Sequence, residues 1–338
     1  MSSANEKGEI VDKKQETKVS VFMITYNHER FVEQAIKSII EQKTDFKFEL
    51  LIHDDASPDG TAGIINKYVN MYPDIITAII QKENQFSKGK EITDEFLLPL
   101  AKGEYVAFCE GDDFWTDNCK LQKQIDYLEH NKNIPAVSCR YNIVDKDGKV
   151  IDISHKGENL NRVYTNEDAL RLGAATIHPT TLVMRMKTRR NSRYLEGRKQ
   201  CCILGGHTFA IYYLGDCGGI YIMEDLMGAW RKVIEECGTS YASRNNEHVI
   251  TYGMSVLEMY CRYRTFFGSR YDFSMKIAQR ACSIIVLLMR KSEKNISKTQ
   301  QFVCLWRLLN NQDKINMVKY IGKRIGVKLK RKSEFRRV

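Results

Sequence analysis

Tyr105–Trp115 reads Tyr-Val-Ala-Phe-Cys-Glu-Gly-Asp-Asp-Phe-Trp, and no other stretch restricts the fold of this chain as tightly. Its first five residues suit a strand buried on both faces, which needs covering layers above and below it. Three carboxylates, Glu110, Asp112 and Asp113, stand within the next four positions. Acid groups this close raise one another's pKa values unless a cation stands among them. At an effective dielectric near 20, two like charges ~4 Å apart repel by ~4 kcal/mol, which a divalent cation would offset. Hard cations of the Mg2+ and Mn2+ kind take a few carboxylate oxygens and complete their shell with water and phosphate oxygens. A strand running into such a turn therefore predicts a metal and phosphate site at the C-terminal edge of a parallel sheet, where open α/β folds bind ligands. A solvated acidic loop is the alternative on these residues alone.

The residues around that stretch supply the rest of a parallel sheet. Val19–Thr25 is a continuous, β-branched apolar run, broken by Tyr26-Asn27-His28. From Glu29 onward Val32, Ala35, Ile36, Ile39 and Ile40 fall at helical spacing and predict a helix that covers the sheet. Leu50–Ile52 predicts the next strand, ended by Asp-Asp-Ala-Ser-Pro-Asp-Gly-Thr, with a second helix through Ile64, Ile65, Tyr68, Val69 and Tyr72. Two strand-turn-helix units in succession imply a right-handed parallel sheet. Ile75–Ile80 reads as a third strand, Thr93–Ala101 as a helix, and Leu121, Ile125 and Leu128 as the inner face of another helix. No glycine-rich phosphate loop is present, so phosphate must be met by metal and side chains.

Beyond about residue 135 the pattern changes. Val137–Val144 and Val150–Ile153, separated by Asp-Lys-Asp-Gly, predict a hairpin. Thr180–Met184 and Ile220–Met223 read as strands, Phe209–Leu214 as part of a short helix, and 232–247 as a loop. From Val249 onward the reading is helical, including a basic amphipathic piece with Ile315, Val318, Ile325 and Leu329 on one side.

Charge divides along the chain. Residues 1–130 hold 15 Lys and Arg against 24 Asp and Glu, whereas 251–338 hold 20 against 5, so the net charge of +10 does not describe either end. An acidic front and a basic rear imply two tasks, and a nucleic-acid role, which would need a supporting motif, is not expected. Residues 1–17 are polar and aperiodic and lack the apolar core of a signal peptide. The longest apolar run, Ala281–Met289, is far short of the ~20 residues that span a bilayer. A cytoplasmic protein is expected, with its ten scattered cysteines mostly reduced.

With these pieces placed, the chain resembles the family 2 glycosyltransferases of the GT-A fold, particularly bacterial members that build surface polysaccharides. The resemblance covers residues 19 to about 235. It is carried by Val19–Asn27, Asp54–Thr61, Ala101–Asp117 with Lys120–Gln124, and His178–Thr181, in the family's order. It implies an α/β fold with a mostly parallel central sheet flanked by helices. The chain then divides into a GT-A domain at 18–247, a disordered tail at 1–17 read from its polar, aperiodic composition, and a basic helical C-terminal region at 248–338 read from its charge and helical spacing. Carried over by position, Thr25, Tyr26 and Asn27 become nucleotide contacts, and Asp54 or Asp55 accepts hydrogen bonds from base or ribose. Glu110 takes the first place of the family's Asp-x-Asp and is expected to reach ribose or a metal-bound water. Asp112 and Asp113 become the ligands of Mn2+ or Mg2+, and Trp230-Arg231 matches an aromatic-Arg pair near the diphosphate. Ser57 and Asp59 suit a turn and a helix start as well as a ligand contact.

The activity implied is metal-dependent, inverting transfer of a sugar from a nucleoside diphosphate sugar, with UDP the family's usual nucleotide, to a glycan or lipid-linked acceptor. One departure bears on catalysis. Where the family commonly has Gly-Asp-x-x-[Leu/Phe], this chain has Gly205-Gly206-His207-Thr208-Phe209, so the expected base Asp aligns with Gly206. Three readings stand: His207 is the base, Glu224 or Asp225 supplies the carboxylate from the next strand end, or the chain is a non-catalytic sugar-nucleotide-binding scaffold. For the imidazoles of His207 and His178 an ordinary structural role stands beside the catalytic one. The basic rear is expected to meet anionic lipid at the inner face of the plasma membrane.

Overall fold

The computed structural model describes residues 16–156, 160–173, 176–203, 206–232, 249–290 and 298–322. The loop read over 232–247, apart from Lys232, lies outside them, as do residues 1–15, Ile325 and Leu329. In chain order the elements are β1 (Thr17–Thr25), α1 (Val32–Ile40), β2 (Lys47–Asp54), α2 (Thr61–Met71), β3 (Ile76–Ile80), β4 (Tyr105–Phe108), β5 (Phe114–Trp115) and α3 (Lys120–His130). Then follow β6 (Ala136–Val144), β7 (Val150–Ile153), β8 (Arg162–Tyr164), α4 (Asn166–Leu172), β9 (Val183–Arg185), α5 (Met186–Arg189), α6 (Ser192–Cys201), α7 (His207–Asp216) and β10 (Ile220–Arg231). The last are α8 (Val249–Phe267), α9 (Ser274–Arg290), α10 (Lys298–Leu308) and a helix over 311–322, here α11.

The architecture is α/β. One compact unit runs to Asp126 and takes in Val183–Lys187; the second holds Tyr127–Leu182 and the chain from Thr188 on. In the first unit β3, β2, β1 and β4 lie side by side, all parallel, with β9 antiparallel against β4. Val19, Val21, Met23, Leu50 and Ile52 are fully buried, as continuous apolar strands should be. Helix α1 buries Val32, Ala35, Ile36 and Ile39, the spacing read from the sequence, and each fully buried Val or Ile stabilises by about 2 kcal/mol.

A polar node sits among these strands. The Ser20 hydroxyl donates to Glu49 Oε1 at 2.7 Å, the same oxygen accepts from Lys102 N at 2.7 Å, and Gly103 N donates to Ser20 Oγ at 2.9 Å. Buried polar atoms are costly unless bonded, so this closed set ties the approach to β4 onto β1 and β2.

In the second unit β6 and β7 form the expected hairpin, whose turn uses Gly148 at φ 84° and Asp145 Oδ1 accepting from the amides of Asp147 and Lys149. Strand β10 runs parallel to β6 and antiparallel to β8. Helix α4 starts on a capping box between Thr165 and Asp168, and both Asp168 oxygens also receive the Arg162 guanidinium at 2.7 and 2.9 Å. Phe209 and Tyr212 of α7 pack on the rings of Tyr263 and Phe273, which joins α7 to the C-terminal helices.

Several expected boundaries move. The helix read over Thr93–Ala101 is one wide turn, Thr93–Leu97. Of Thr180–Met184 only the end is strand, because Pro179 opens a 3-10 turn through Thr181. The strand read at Ile220–Met223 continues to Arg231 through register shifts after Met223 and Leu226, where bulges break the two-residue alternation. None of the nine cysteines among the described residues forms a disulfide. No described helix is long and apolar enough to cross a membrane.

Candidate active site

Strands β2 and β3 lie on one side of β1 and β4 on the other, so the winding of the first unit reverses between β1 and β4. The crevice beyond the C-terminal ends of strands at such a reversal is where open α/β sheets bind ligands. Two sequence features meet there: Thr25-Tyr26-Asn27 at the end of β1 and the acidic turn after β4. Pairing continues past β4, with Cys109 N donating to Phe22 O at 3.1 Å and Gly111 N to Ile24 O at 3.0 Å. Only glycine fits at 111, since a Cβ would stand 2.4 Å from Thr25 Cγ2 and 2.8 Å from His28 Nδ1. The turn is thereby pressed flat against β1, and His28 Nε2 comes within 3.8 Å of Asp112 Oδ2. His28 Nδ1 is buried and makes no hydrogen bond among the described residues. The sequence reading passed over His28; its place directly after Tyr-Asn was the available signal.

Glu110, Asp112 and Asp113 each bring a carboxylate oxygen to a common point, all within 4.8 Å of one another. Asp113 is buried and Glu110 exposed, so the cluster opens from the sheet edge to solvent. The surrounding protein first, and the Asp112 charge second, push the Glu110 carboxyl up to about 7. Three convergent hard oxygens with an acid held partly protonated fit a divalent cation of the Mg2+ or Mn2+ kind. A raised carboxyl stabilises the fold below its unfolded value near 4.5, and that contribution is lost as pH rises through about 7. For the cation-free chain, the Glu110 contribution should therefore lower the thermal midpoint between pH 5 and 8. Mn2+ binds the ionised form, so its stabilisation should grow over the same interval, read by thermal scans at matched ionic strength. A Glu110→Gln chain that keeps both slopes would sink this reading.

The side of the crevice formed by the ends of β1 and β2 is built from interlocked turns. Thr25 is fully buried and donates to Asp54 Oδ1 at 2.9 Å; Ser57 supplies its hydroxyl to the same oxygen at 2.5 Å and its amide to Oδ2 at 3.1 Å. Asn27, at φ 61°, donates its amide to Ser57 Oγ at 2.9 Å. Asp55 accepts from Gln85 N at 2.7 Å and Phe86 N at 3.1 Å, which fixes the loop after β3. Tyr26 is 42% exposed and presents its ring to solvent at the end of β1. Neither Ser57 nor Asp59 caps α2, whose cap position is Gly60; Asp59 instead accepts from Thr61 N and Glu29 N and so bridges the loops after β1 and β2.

The remaining predicted residues lie in the second unit. His178 stacks on Trp230 with ring centroids 5.3 Å apart and meets Tyr141 at 5.5 Å. Its Nδ1 accepts from Thr180 N at 3.4 Å, which leaves the proton on Nε2. Burial first and His207 second hold its pKa down to about 3, so it serves there as a neutral aromatic wall. Arg231 is buried and donates through Nη1 to the carbonyls of Asp145 and Lys146, both at 3.1 Å. His207 begins α7, and desolvation first, then the Arg198 guanidinium, lowers its pKa even though the residue is exposed by area. At Gly206 a Cβ would fall 1.4 Å from Arg198 Nη1, so a guanidinium fills the space where the family's carboxylate was expected. Glu224 and Asp225 lie within β10 at its bulge and not at a strand end, with Glu224 N donating to Asn161 Oδ1 at 3.2 Å.

The sequence profile of glycosyl transferase family 2 matches residues 20–190. The chain is 35% identical over 131 residues to the putative glycosyltransferase EpsE of Bacillus subtilis, covering 39% of this chain and 45% of EpsE. It is 30% identical over 143 residues to an Escherichia coli protein, WfaP, named as a UDP-Glc:alpha-D-GlcNAc-diphosphoundecaprenol beta-1,3-glucosyltransferase, covering 42% of this chain and 53% of WfaP. Across the curated relatives it matches, the chain spans 37 to 60% of their length. In fold it is similar to residues 1–349 of S. aureus TarS, solved with UDP, at a TM-score of 0.55 and 15% identity over 89% of this chain and 83% of that one.

Proposed function

The chain belongs to glycosyl transferase family 2, and from that premise we propose that it moves a sugar from a nucleoside diphosphate sugar to a hydroxyl of a polysaccharide or glycolipid acceptor, with inversion. The observation that carries this reading is the convergence of Glu110, Asp112 and Asp113 at the reversal between β1 and β4. Asp112 and Asp113 hold the cation, Mn2+ or Mg2+, with Glu110 beside them. When bound there, the cation offsets charge that develops on the leaving diphosphate. Tyr26 offers its exposed ring to the nucleobase. Asp54 and Asp55 are buried, exposed by 0% and 2%, and their three and two bonds within the chain order the turns that would frame the base and ribose. Arg231, with Trp230 before it, is assigned to the donor diphosphate in this reading, as the family's aromatic-Arg pair implies. A uridine diphosphate sugar is the donor we favour, and the name of WfaP supports both that donor and a lipid-linked acceptor.

His207 takes the acceptor proton in this reading. An imidazole held below its ordinary pKa is unprotonated at neutral pH and ready to accept. Glu224 and Asp225 are the alternative carboxylates. The guanidinium at Gly206 favours a second reading, a sugar-nucleotide-binding scaffold that does not turn over.

Thermal scans against a panel of nucleotide sugars, with and without Mn2+, test the donor site. A ligand at 100 times its Kd raises stability by about 2.7 kcal/mol. Stabilisation that needs both cation and one class of nucleotide is expected, and none with any nucleotide would overturn the proposal. Transfer assays then separate the two readings: loss of turnover in His207→Ala with donor binding intact supports the enzyme, whereas tight binding without turnover in the parent chain supports the scaffold.

A further inference from the structure

The helices α10 and α11 carry apolar side chains on their outward as well as their inward faces. They meet at a reciprocal cap, with Asp313 N donating to Asn310 Oδ1 at 2.8 Å and Asn310 N to Asp313 Oδ2 at 3.0 Å. Asp313 also receives Arg264 Nη1 at 2.8 and 2.7 Å, which anchors α11 on α8. The face that α11 turns inward carries Asp313 and Asn316 with Met317, exposed by 0%, 9% and 5%. Its outward face carries Ile315, Val318 and Ile321, exposed by 49%, 71% and 44%. In α10 the pattern repeats, with Gln301 and Leu305 inward and Phe302, Val303 and Trp306 outward. A helix packed on a water-soluble core keeps its outward face polar.

The outward rings are ordered among themselves. Phe302 and Trp306 stack with centroids 5.8 Å apart and planes within 17°, and Lys314 Nζ stands 4.6 Å from the Trp306 centroid. Arg307 and Lys319 are exposed on the same two helices. Residues 251–338 carry 20 Lys and Arg against 5 Asp and Glu, so this part of the sequence is strongly positive.

We propose that this face of α10 and α11 docks on an anionic phospholipid bilayer, lying in the plane of the interface. Phe302, Trp306, Ile315 and Val318 enter the boundary between headgroups and acyl chains, and Lys314 and Lys319 meet the lipid phosphates. Interfacial helices combine an aromatic and aliphatic face with Lys and Arg in this way, and Trp concentrates at the headgroup level. Charge selects a bilayer over a second copy of the chain, because two such faces would bring like charge against like charge. The face shares no residue with the proposed donor site, so it stands or falls separately from the enzymatic reading.

Flotation of the full chain with vesicles of phosphatidylcholine, alone or mixed with phosphatidylglycerol, tests the proposal. At least tenfold stronger partition into the mixed vesicles is expected, with fluorescence quenched by brominated acyl chains and that quenching lost in Trp306→Phe. The exposed pair Ile315→Ser and Val318→Ser should lower partition at least tenfold while leaving the thermal midpoint in place. Absence of partition into either vesicle would overturn the proposal. So would partition that the serine pair leaves unchanged, or a vesicle-independent dimer that the pair dissolves.

Discussion

Replacing Asp112 and Asp113 together by Asn is expected to lower sugar transfer by on the order of 10³-fold and to reduce Mn2+-dependent nucleotide affinity to its metal-free level. Asn matches Asp in volume and keeps one carbonyl oxygen, so the turn retains its shape. What disappears is the negative charge that would hold a divalent cation against a diphosphate. The crowding that pushes Glu110 up to about 7 also eases, since Asp112 is one of its causes. The cation-free thermal midpoint should then stay level or rise, which separates loss of the site from loss of the fold. Nucleotide binding and turnover that survive the double change with their Mn2+ dependence intact would remove the site from this turn.

Gly103→Ala should destabilise the chain by about 3 kcal/mol, at the upper end for overpacking, and lower its thermal midpoint by roughly 5 °C. A Cβ at 103 would stand 2.5 Å from Ser20 N and 2.7 Å from Val19 C, and both are backbone atoms that no rotamer change can move. Relief requires β4 to part from β1, which also breaks the bond from Gly103 N to Ser20 Oγ. Because the acidic turn hangs from the far end of β4, the same variant should weaken Mn2+-dependent nucleotide binding although it touches no ligand. Thermal scans and nucleotide titration read both effects, and an unchanged midpoint would show that the strands do not depend on this close approach.

The first unit was largely legible in the sequence because its signals are local. Continuous β-branched runs marked β1 to β4, helical spacing marked α1 and α2, and acids at strand ends marked the crevice. What escaped was set by partners distant in the chain. The bulges in β10 interrupt alternation, so the strand read as ending at Met223 continues to Arg231. Helix α4 carried a legible sign, Thr165 three residues before Asp168, that was passed over. The loops after β1 and β2 look like separate turns, yet Asp59 and Ser57 bond across to Glu29 and Asn27. Ile315 and Val318 share a face as their spacing implies, but spacing does not say whether that face points inward, and a buried Asp313 paired with Arg264 decided that it points out.

The guanidinium lodged against Gly206 ties two distant positions together. A side chain placed at 206 would put its Cβ 1.4 Å from Arg198 Nη1, the far end of a flexible side chain, so the arginine would have to swing aside. An Asp introduced there would also offer that guanidinium a carboxylate partner. Substitutions at 198 and 206 are therefore expected to depart from additivity.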